Sequence, residues 1–304
     1  MASFLSYLEY FHVGYAALTL AFYMLSFVVP KAAFVARSLA SYICLVWAAC
    51  FGVVASIVLS PTGYRLVAAW ATARFFKLVM TATTNITFDV DDPKQHMKSR
   101  PAVFLANHQT ELDVLMLGST FPKYCSMTGK ASLRRTPFLG WFMSLSGAIF
   151  LDRANSQSAR STMNAAANEI RSNRQSVYIF PEGTRSYSKD PVLLPFKKGG
   201  FHLAVQAQVP IIPIVVANYS HVLWIRGLLF KSGRIPVKVL DPIPTTGLTA
   251  ADVDELTRTT RELMLKELIA LTEKAQGRKF AVPVATAAAN GVAKASGIDI
   301  KVAA

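Results

Sequence analysis

The sequence predicts an α/β domain, a largely parallel or mixed sheet flanked by helices, preceded by an N-terminal membrane helical hairpin. Three observations predict it. Short apolar, β-compatible runs alternate with helical stretches from residue 86 onward. Two long uncharged apolar stretches come before them. The chain of 304 residues is 52% hydrophobic, with a mean hydropathy of +0.34, and still carries a formal net charge of +14. Apolar excess joined to a basic balance points to a membrane surface before a nucleic acid.

Residues 1–65 hold the two apolar segments, Val13 to Val29 and Leu39 to Leu59, each close to the length a helix needs to cross a bilayer. Only eight residues, Pro30 to Arg37, join them, which makes an antiparallel hairpin; whether it spans or dips into one leaflet is open. The leader lacks Lys and Arg, contains Glu9 and has no small-x-small site behind it, so the first segment reads as retained. Lys31 and Arg37 are matched by Arg65, Arg74 and Lys77, and the positive-inside count gives no orientation. Residues 66–84 read as a helix with a narrow polar stripe of Trp70, Arg74, Lys77 and Thr81. That stripe suits either the lipid headgroup region or a helix of the folded domain with solvated charges.

The catalytic domain is expected over residues 85–276. Ile86 to Val90 reads as an edge strand and Ala102 to Ala106 as a buried one. Pro137 to Ser146 reads as a short helix, Ala148 to Leu151 as a strand, Ser158 to Arg174 as a helix, and Val177 to Phe180 as a strand. Ile211 to Ala217 and Pro236 to Leu240 are further strands; Pro210 and Pro213 assign the first of these to an edge or an irregular strand. Thr249 to Lys274 is a long amphipathic helix opened by a capping box of Thr249 and Asp252. Residues 277–304 are Ala-rich, broken by Pro283, Gly291 and Gly297, and are expected to form a mobile tail.

The chemistry is expected in Asn107-His108-Gln109-Thr110-Glu111-Leu112-Asp113. In continuous helix, residues five apart point about 140° away from each other. His108 and Asp113 therefore meet only if the chain bends between them, as a strand-turn-helix does. Thr110 and Asp113 match a capping box, which places Asp113 in the first helical turn near the positive end of the dipole. A histidine can take a proton at neutral pH, and a carboxylate on its other nitrogen fixes the tautomer and stabilises the imidazolium. With no evident nucleophilic Ser or Cys, the attacking group belongs to the substrate, as a hydroxyl. Alone, an H-x4-D spacing more often marks a turn histidine and a capping aspartate, and the rest of the chain decides.

Three more motifs follow: Gly147 to Arg153, Phe180-Pro181-Glu182-Gly183-Thr184-Arg185-Ser186, and Val209 to Val215. The first two bring Arg153 and Arg185 out at strand ends, where an α/β sheet usually holds its ligand, and two guanidiniums suit a phosphate. Between Thr120 and Gly200 twelve Lys and Arg face four acids, a bias that attracts an anion. Cys44, Cys50 and Cys125 have neither disulfide nor metal-ligand spacing. The chain has no G-x-S-x-G, Walker A, G-x-G-x-x-G or H-E-x-x-H motif, and no nucleic-acid-binding signature.

Taken in order, these four blocks resemble the motifs of the glycerolipid acyltransferase family, and most of all the fungal-type 1-acylglycerol-3-phosphate (lysophosphatidic acid) acyltransferases. Stretches similar to Pro137 to Phe142 and Leu194 to Gly199 add to the likeness, which covers roughly residues 40 to 270. The resemblance implies His108 as general base on a lysophospholipid hydroxyl, with Asp113 orienting it. It implies acceptor binding by Glu182, Gly183, Thr184 and Arg185, with phosphate contacts from Arg153 and Lys130. Ala131 stands where fungal relatives often have a second lysine, which leaves that contact to Lys130. Backbone N–H groups near Gly183 are the expected oxyanion donors.

The implied partners are lysophosphatidic acid, acyl-CoA as co-substrate and the bilayer, with no cofactor, no metal and no nucleic acid. The implied location is the endoplasmic reticulum membrane with the domain facing the cytosol, and lipid droplets as a second site. The competing readings are acylation of glycerol-3-phosphate or another lysophospholipid, and a non-enzymatic protein that binds anionic lipid through its basic face.

Overall fold

The computed structural model describes residues 2–152 and 156–280; Arg153 and most of the Ala-rich tail lie outside them. Three helices come first: α1 (Ala2–Leu25), α2 (Ala32–Leu59) and α3 (Arg65–Thr84). The domain then runs β1 (Ile86–Asp91), β2 (Val103–Ala106), α4 (Asp113–Thr120), β3 (Cys125–Lys130), α5 (Leu139–Leu145), β4 (Ile149–Leu151), α6 (Ser156–Asn173) and β5 (Ser176–Ile179). It closes with α7 (Gly199–Ala207), β6 (Ile211–Val216), β7 (Leu223–Trp224), β8 (Leu229–Phe230), β9 (Gly233–Val239) and α8 (Val253–Gln276).

Seven strands form one sheet in the order β1-β9-β6-β2-β5-β3-β4, while β7 and β8 make a separate small ribbon. Every neighbouring pair in the large sheet is parallel except β6 with β9. The five strands β6, β2, β5, β3 and β4 therefore share a C-terminal edge. Side chains alternate across the sheet as strand geometry requires: Phe104 and Ala106 of β2 enter the layer formed with α3 and α4, whereas Val103 and Leu105 enter the layer formed with α6, α7 and α8.

The strand with two prolines is not an edge. β6 sits between β9 and β2 and is buried throughout. Its prolines are tolerated because of where their missing N–H groups fall. Pro210 lies ahead of the strand, and its carbonyl accepts from Val103 N–H. Pro213 faces the β9 side just where that ladder ends, its carbonyl taking Leu240 N–H, and beyond it Ile211 bridges to Ile243. The strand β3, the helix α7 and the β7–β8 ribbon have no counterpart among the sequence-based elements.

In α2 the buried positions recur every fourth residue, Ala32, Ala36, Ala40, Cys44, Ala48, Gly52 and Ser56. The facing stripe of α3 has the same period, Ala68, Thr72, Phe76, Met80 and Thr84. Small residues at this spacing let two helix backbones approach closely along their length. Polar residues of α3 then face the domain: the Arg74 guanidinium donates to Gly118 O and Phe121 O at the end of α4, and Thr81 Oγ1 donates to Ile86 O. Arg74 and Thr81 of the stripe are thus engaged by the domain, whereas the second of the two sequence readings has its charges solvated.

Among the described residues only α2 is long and apolar enough to cross a bilayer. The first apolar segment falls short of that measure because its helix begins earlier and includes Glu9, His12 and several tyrosines. It lies against α2, with Tyr15 donating to Leu39 O and Trp47 stacked on His12.

Candidate active site

The C-terminal edge of the parallel strands carries every sequence-derived site residue that the structure describes. At the end of β2 the chain does not stop pairing. Asn107 imitates a backbone unit: its Nδ2 donates to Val216 O at 3.0 Å and its Oδ1 accepts from Val216 N–H at 2.8 Å. Gln109 then donates to Val216 O and Ala217 O. Between these two anchors His108 is held on the turn.

The turn brings His108 and Asp113 together, with Nδ1 and Oδ2 2.7 Å apart. Asp113 is 1% exposed, and a buried carboxylate is tolerable only when paired and hydrogen-bonded. Its Oδ2 also accepts from the N–H groups of Gln109 at 2.6 Å and Thr110 at 3.2 Å, and its Oδ1 accepts from the Tyr219 hydroxyl at 2.6 Å. Thr110 Oγ1 accepts from Leu112 N–H, so the predicted box forms its Asp-to-backbone arm while helix α4 itself starts at Asp113. Burial, reinforced by the charge of Asp113, holds the Tyr219 phenol well above its ordinary range, which keeps it a donor. With Nδ1 committed to the carboxylate, Nε2 of the partly exposed imidazole is left to take a proton.

The segment after β5 braces the histidine from the other side. The ring of Phe180 stacks on His108 at 4.1 Å and 17°. Glu182, expected at the acceptor, is instead 2% exposed, its two oxygens taken by His108 N–H at 2.7 Å and Leu194 N–H at 2.8 Å. Its place is beneath the site, where it ties the His108 turn to Leu194. Burial pushes this carboxyl up to about 7, against the two N–H donors, which favour the ionised form. Gly183 adopts φ +72, the left-handed region open to glycine. Its N–H donates to Phe180 O and closes the turn, so the expected oxyanion donor is engaged there.

Arg185 is partly exposed beside the turn, paired with Glu111 at 3.0 Å and bonded to the Tyr187 hydroxyl at 3.2 Å. Thr184 is exposed next to it, and Lys130 is exposed at the end of β3. In sheet order β2, β5, β3 and β4 are successive neighbours, so Lys130 follows a strand about 10 Å from β2. Arg153 lies outside the described residues. Asn107 and Phe180 fall inside the expected motifs without an assigned role, and Tyr219 lies outside them, its only local signal an aromatic shortly after the buried strand β6.

A histidine base backed by a buried carboxylate, beside cations at a sheet edge, suits removal of a hydroxyl proton from an anionic substrate. Comparisons with known proteins agree. The family described as Acyltransferase matches residues 85–217. The chain is 40% identical over 232 residues to the 1-acyl-sn-glycerol-3-phosphate acyltransferase of Saccharomyces cerevisiae, covering 76% of each chain. It is 37% identical over 237 residues to the human 1-acyl-sn-glycerol-3-phosphate acyltransferase beta, covering 77% of this chain and 84% of that one. The fold matches the crystal structure of the 1-acyl-sn-glycerophosphate (LPA) acyltransferase PlsC of Thermotoga maritima with a TM-score of 0.59 at 22% identity, over 88% of this chain and 99% of that one. Sequence identity over most of the chain, with a His–Asp pair seated at the sheet edge, establishes that this protein belongs to the acyltransferase family.

Proposed function

We propose that the protein transfers a fatty acyl group from acyl-CoA to the sn-2 hydroxyl of 1-acyl-sn-glycerol-3-phosphate, giving phosphatidic acid for phospholipid and triacylglycerol synthesis. The observation that carries the chemistry is the 2.7 Å contact of His108 with the buried Asp113; the names of the relatives carry the acceptor. His108 Nε2 removes the hydroxyl proton, and the alkoxide adds to the thioester carbonyl. Collapse of the tetrahedral intermediate breaks the carbon–sulfur bond, and the imidazolium returns its proton to the departing CoA thiolate. Asp113 stabilises the imidazolium between these steps. An acyl-enzyme is unnecessary: Cys125 is fully buried, and Cys44 and Cys50 lie on α2.

Lys130 and Arg185, together with Arg153 from its motif, would take the acceptor phosphate, with Gly183 and Thr184 on the turn beside Arg185. The reaction needs acyl-CoA as co-substrate and no cofactor. The same reading places the domain on the cytosolic face of the endoplasmic reticulum, with lipid droplets as a second location. There α1 and α2 would lie in one leaflet: α2 is packed along its length on α3, and α3 is bound through Arg74 to the domain, so α2 cannot cross without drawing α3 with it. A protease-protection assay on microsomes that shielded residues 100 to 270 would overturn the cytosolic orientation.

The deciding experiment is transfer from labelled oleoyl-CoA in purified membranes, offering lysophosphatidic acid, glycerol-3-phosphate and several lysophospholipids in parallel, for wild type and His108→Ala. The reading requires transfer to lysophosphatidic acid that the substitution abolishes. Transfer to another acceptor keeps the mechanism and changes the substrate; no His108-dependent transfer at all leaves the anionic-lipid-binding alternative.

A further inference from the structure

Between Lys130 and β4 the chain exposes what a soluble domain normally covers. Phe138, Trp141 and Leu145 are 42%, 53% and 37% exposed. Trp141 and Leu145, four residues apart, share one face of α5, with Phe138 just ahead of the helix against Trp141, while Gly140 and Met143 are buried on the other face. Phe138 and Trp141 meet edge to face, ring centres 5.1 Å apart.

The backbone is strained at the same place. Phe138 has φ 60 and ψ −57, and Leu139 N–H donates to Pro137 O at 2.6 Å. This is the rarer, strained hand of γ-turn, adopted by a bulky aromatic rather than a glycine. Strain of this kind persists where the surroundings enforce it and is concentrated at functional segments. Here it turns the chain into α5, where buried Gly140 lies so close to the Leu133 and Arg134 carbonyls that a Cβ would come within 2.5 Å of both, while the Phe138 ring itself stays 42% exposed.

Two further facts say what covers the patch. Arg134 and Arg135 are exposed immediately before it, so the apolar face has a cationic rim. The patch also continues the N-terminal apolar surface: the Phe142 ring lies directly over Gly52 of α2, where a Cβ would come within 2.4 Å of it. Arg65 at the start of α3 binds Leu145 O at 2.7 Å and Ser144 O at 3.0 Å. α5 is thus fastened to the helices whose outer faces expose Trp47, Val54 and Val58.

We propose that the segment Arg134 to Leu145 is a second membrane contact, with Phe138 and Trp141 seated among lipid headgroups and Arg134 and Arg135 on anionic lipid phosphates. Aromatic rings with adjacent cations are the side chains that interfaces of this chemistry select. Because the segment follows β3 directly, it brings the end of that strand, and with it the catalytic edge of the sheet, to the plane of the bilayer. The proposal rests on the membrane-bound reading of the protein and is independent of which acceptor is used.

The test uses the full chain reconstituted into phosphatidylcholine vesicles with and without phosphatidylserine. Headgroup-proximal brominated lipid should quench Trp141, so Trp141→Phe should remove a quenchable component of about a quarter of the emission of the four tryptophans. The pair Arg134→Glu and Arg135→Glu should raise the apparent KM for vesicle-borne long-chain lysophosphatidic acid about tenfold when phosphatidylserine is present. Turnover of a water-soluble short-chain acceptor should not change. An unquenched Trp141, or equal losses on both acceptors, would overturn the proposal. So would an unquenched Trp141 with a dimer in detergent that Phe138→Ser and Trp141→Ser dissolve, which would make the face a contact between copies. If wild type acylates neither acceptor, the acceptor reading fails and the quenching result alone decides the membrane contact.

Discussion

The two sides of the site are built on opposite principles. On the base side Asp113 is buried, and its two oxygens accept from two backbone N–H groups and a buried phenol as well as meeting His108. On the cationic side Lys130 and Thr184 are exposed, and Arg185 is paired with Glu111 and bonded to Tyr187, both at the surface. Buried polar networks are costly to leave half-satisfied and therefore rigid, whereas exposed ion pairs contribute little and rearrange. The His–Asp geometry is preset; on the cationic side the proposed acceptor phosphate would take the place of Glu111 on Arg185.

Breaking the base side should have the largest effect. His108→Ala should reduce kcat by about 10²- to 10⁴-fold with the fold retained, as measured by acyl transfer and near-UV circular dichroism. A residual rate within a few-fold of wild type would show that the pair is structural.

Glu182 tests whether the rigidity extends beneath the turn. Its folded pKa of about 7 lies above the usual 4.5, so the folded state binds the extra proton. The contribution of this group is fully present below about 4.5 and is lost as pH rises through 7, by about 3 kcal/mol. In thermal melts across that window Glu182→Gln should be less stable than wild type at acid pH, with the gap closing as pH rises; a constant gap would contradict the raised pKa.

Tyr219→Phe removes the donor to Asp113 Oδ1 and an acceptor for Thr110 N–H. It should cost about 1–3 kcal/mol in stability and lower kcat while leaving KM for the acceptor unchanged. A change confined to KM would move Tyr219 to the other side of the comparison.

The smallest stability effect belongs to the exposed pair. Glu111→Gln should change stability by less than about 1 kcal/mol, read in urea melts, and should lower the KM for an anionic acceptor because Arg185 is released. A raised KM would mean that Glu111 positions Arg185 instead of competing for it.

Local rules account for much of the molecule. The apolar run before Asn107, the turn and the helix that starts at Asp113 follow from short-range pattern, and so does the His–Asp encounter. The Thr249–Asp252 box forms as read, with both of its arms present ahead of α8. The sequence by itself therefore determined the alternation of strands and helices, the apolar N-terminus and the His–Asp pair, because periods, caps and turns act within a few residues. What only the tertiary structure decided are contacts between distant segments. Examples are Tyr219 on Asp113, 106 residues away, Glu182 under His108, 74 residues away, and Pro213 in a central strand where its missing donor faces the end of a ladder. Likewise Arg74 turned inward to α4 rather than outward to lipid. Each depends on which buried polar group finds a partner once the layers close, and spacing along the chain does not encode that choice.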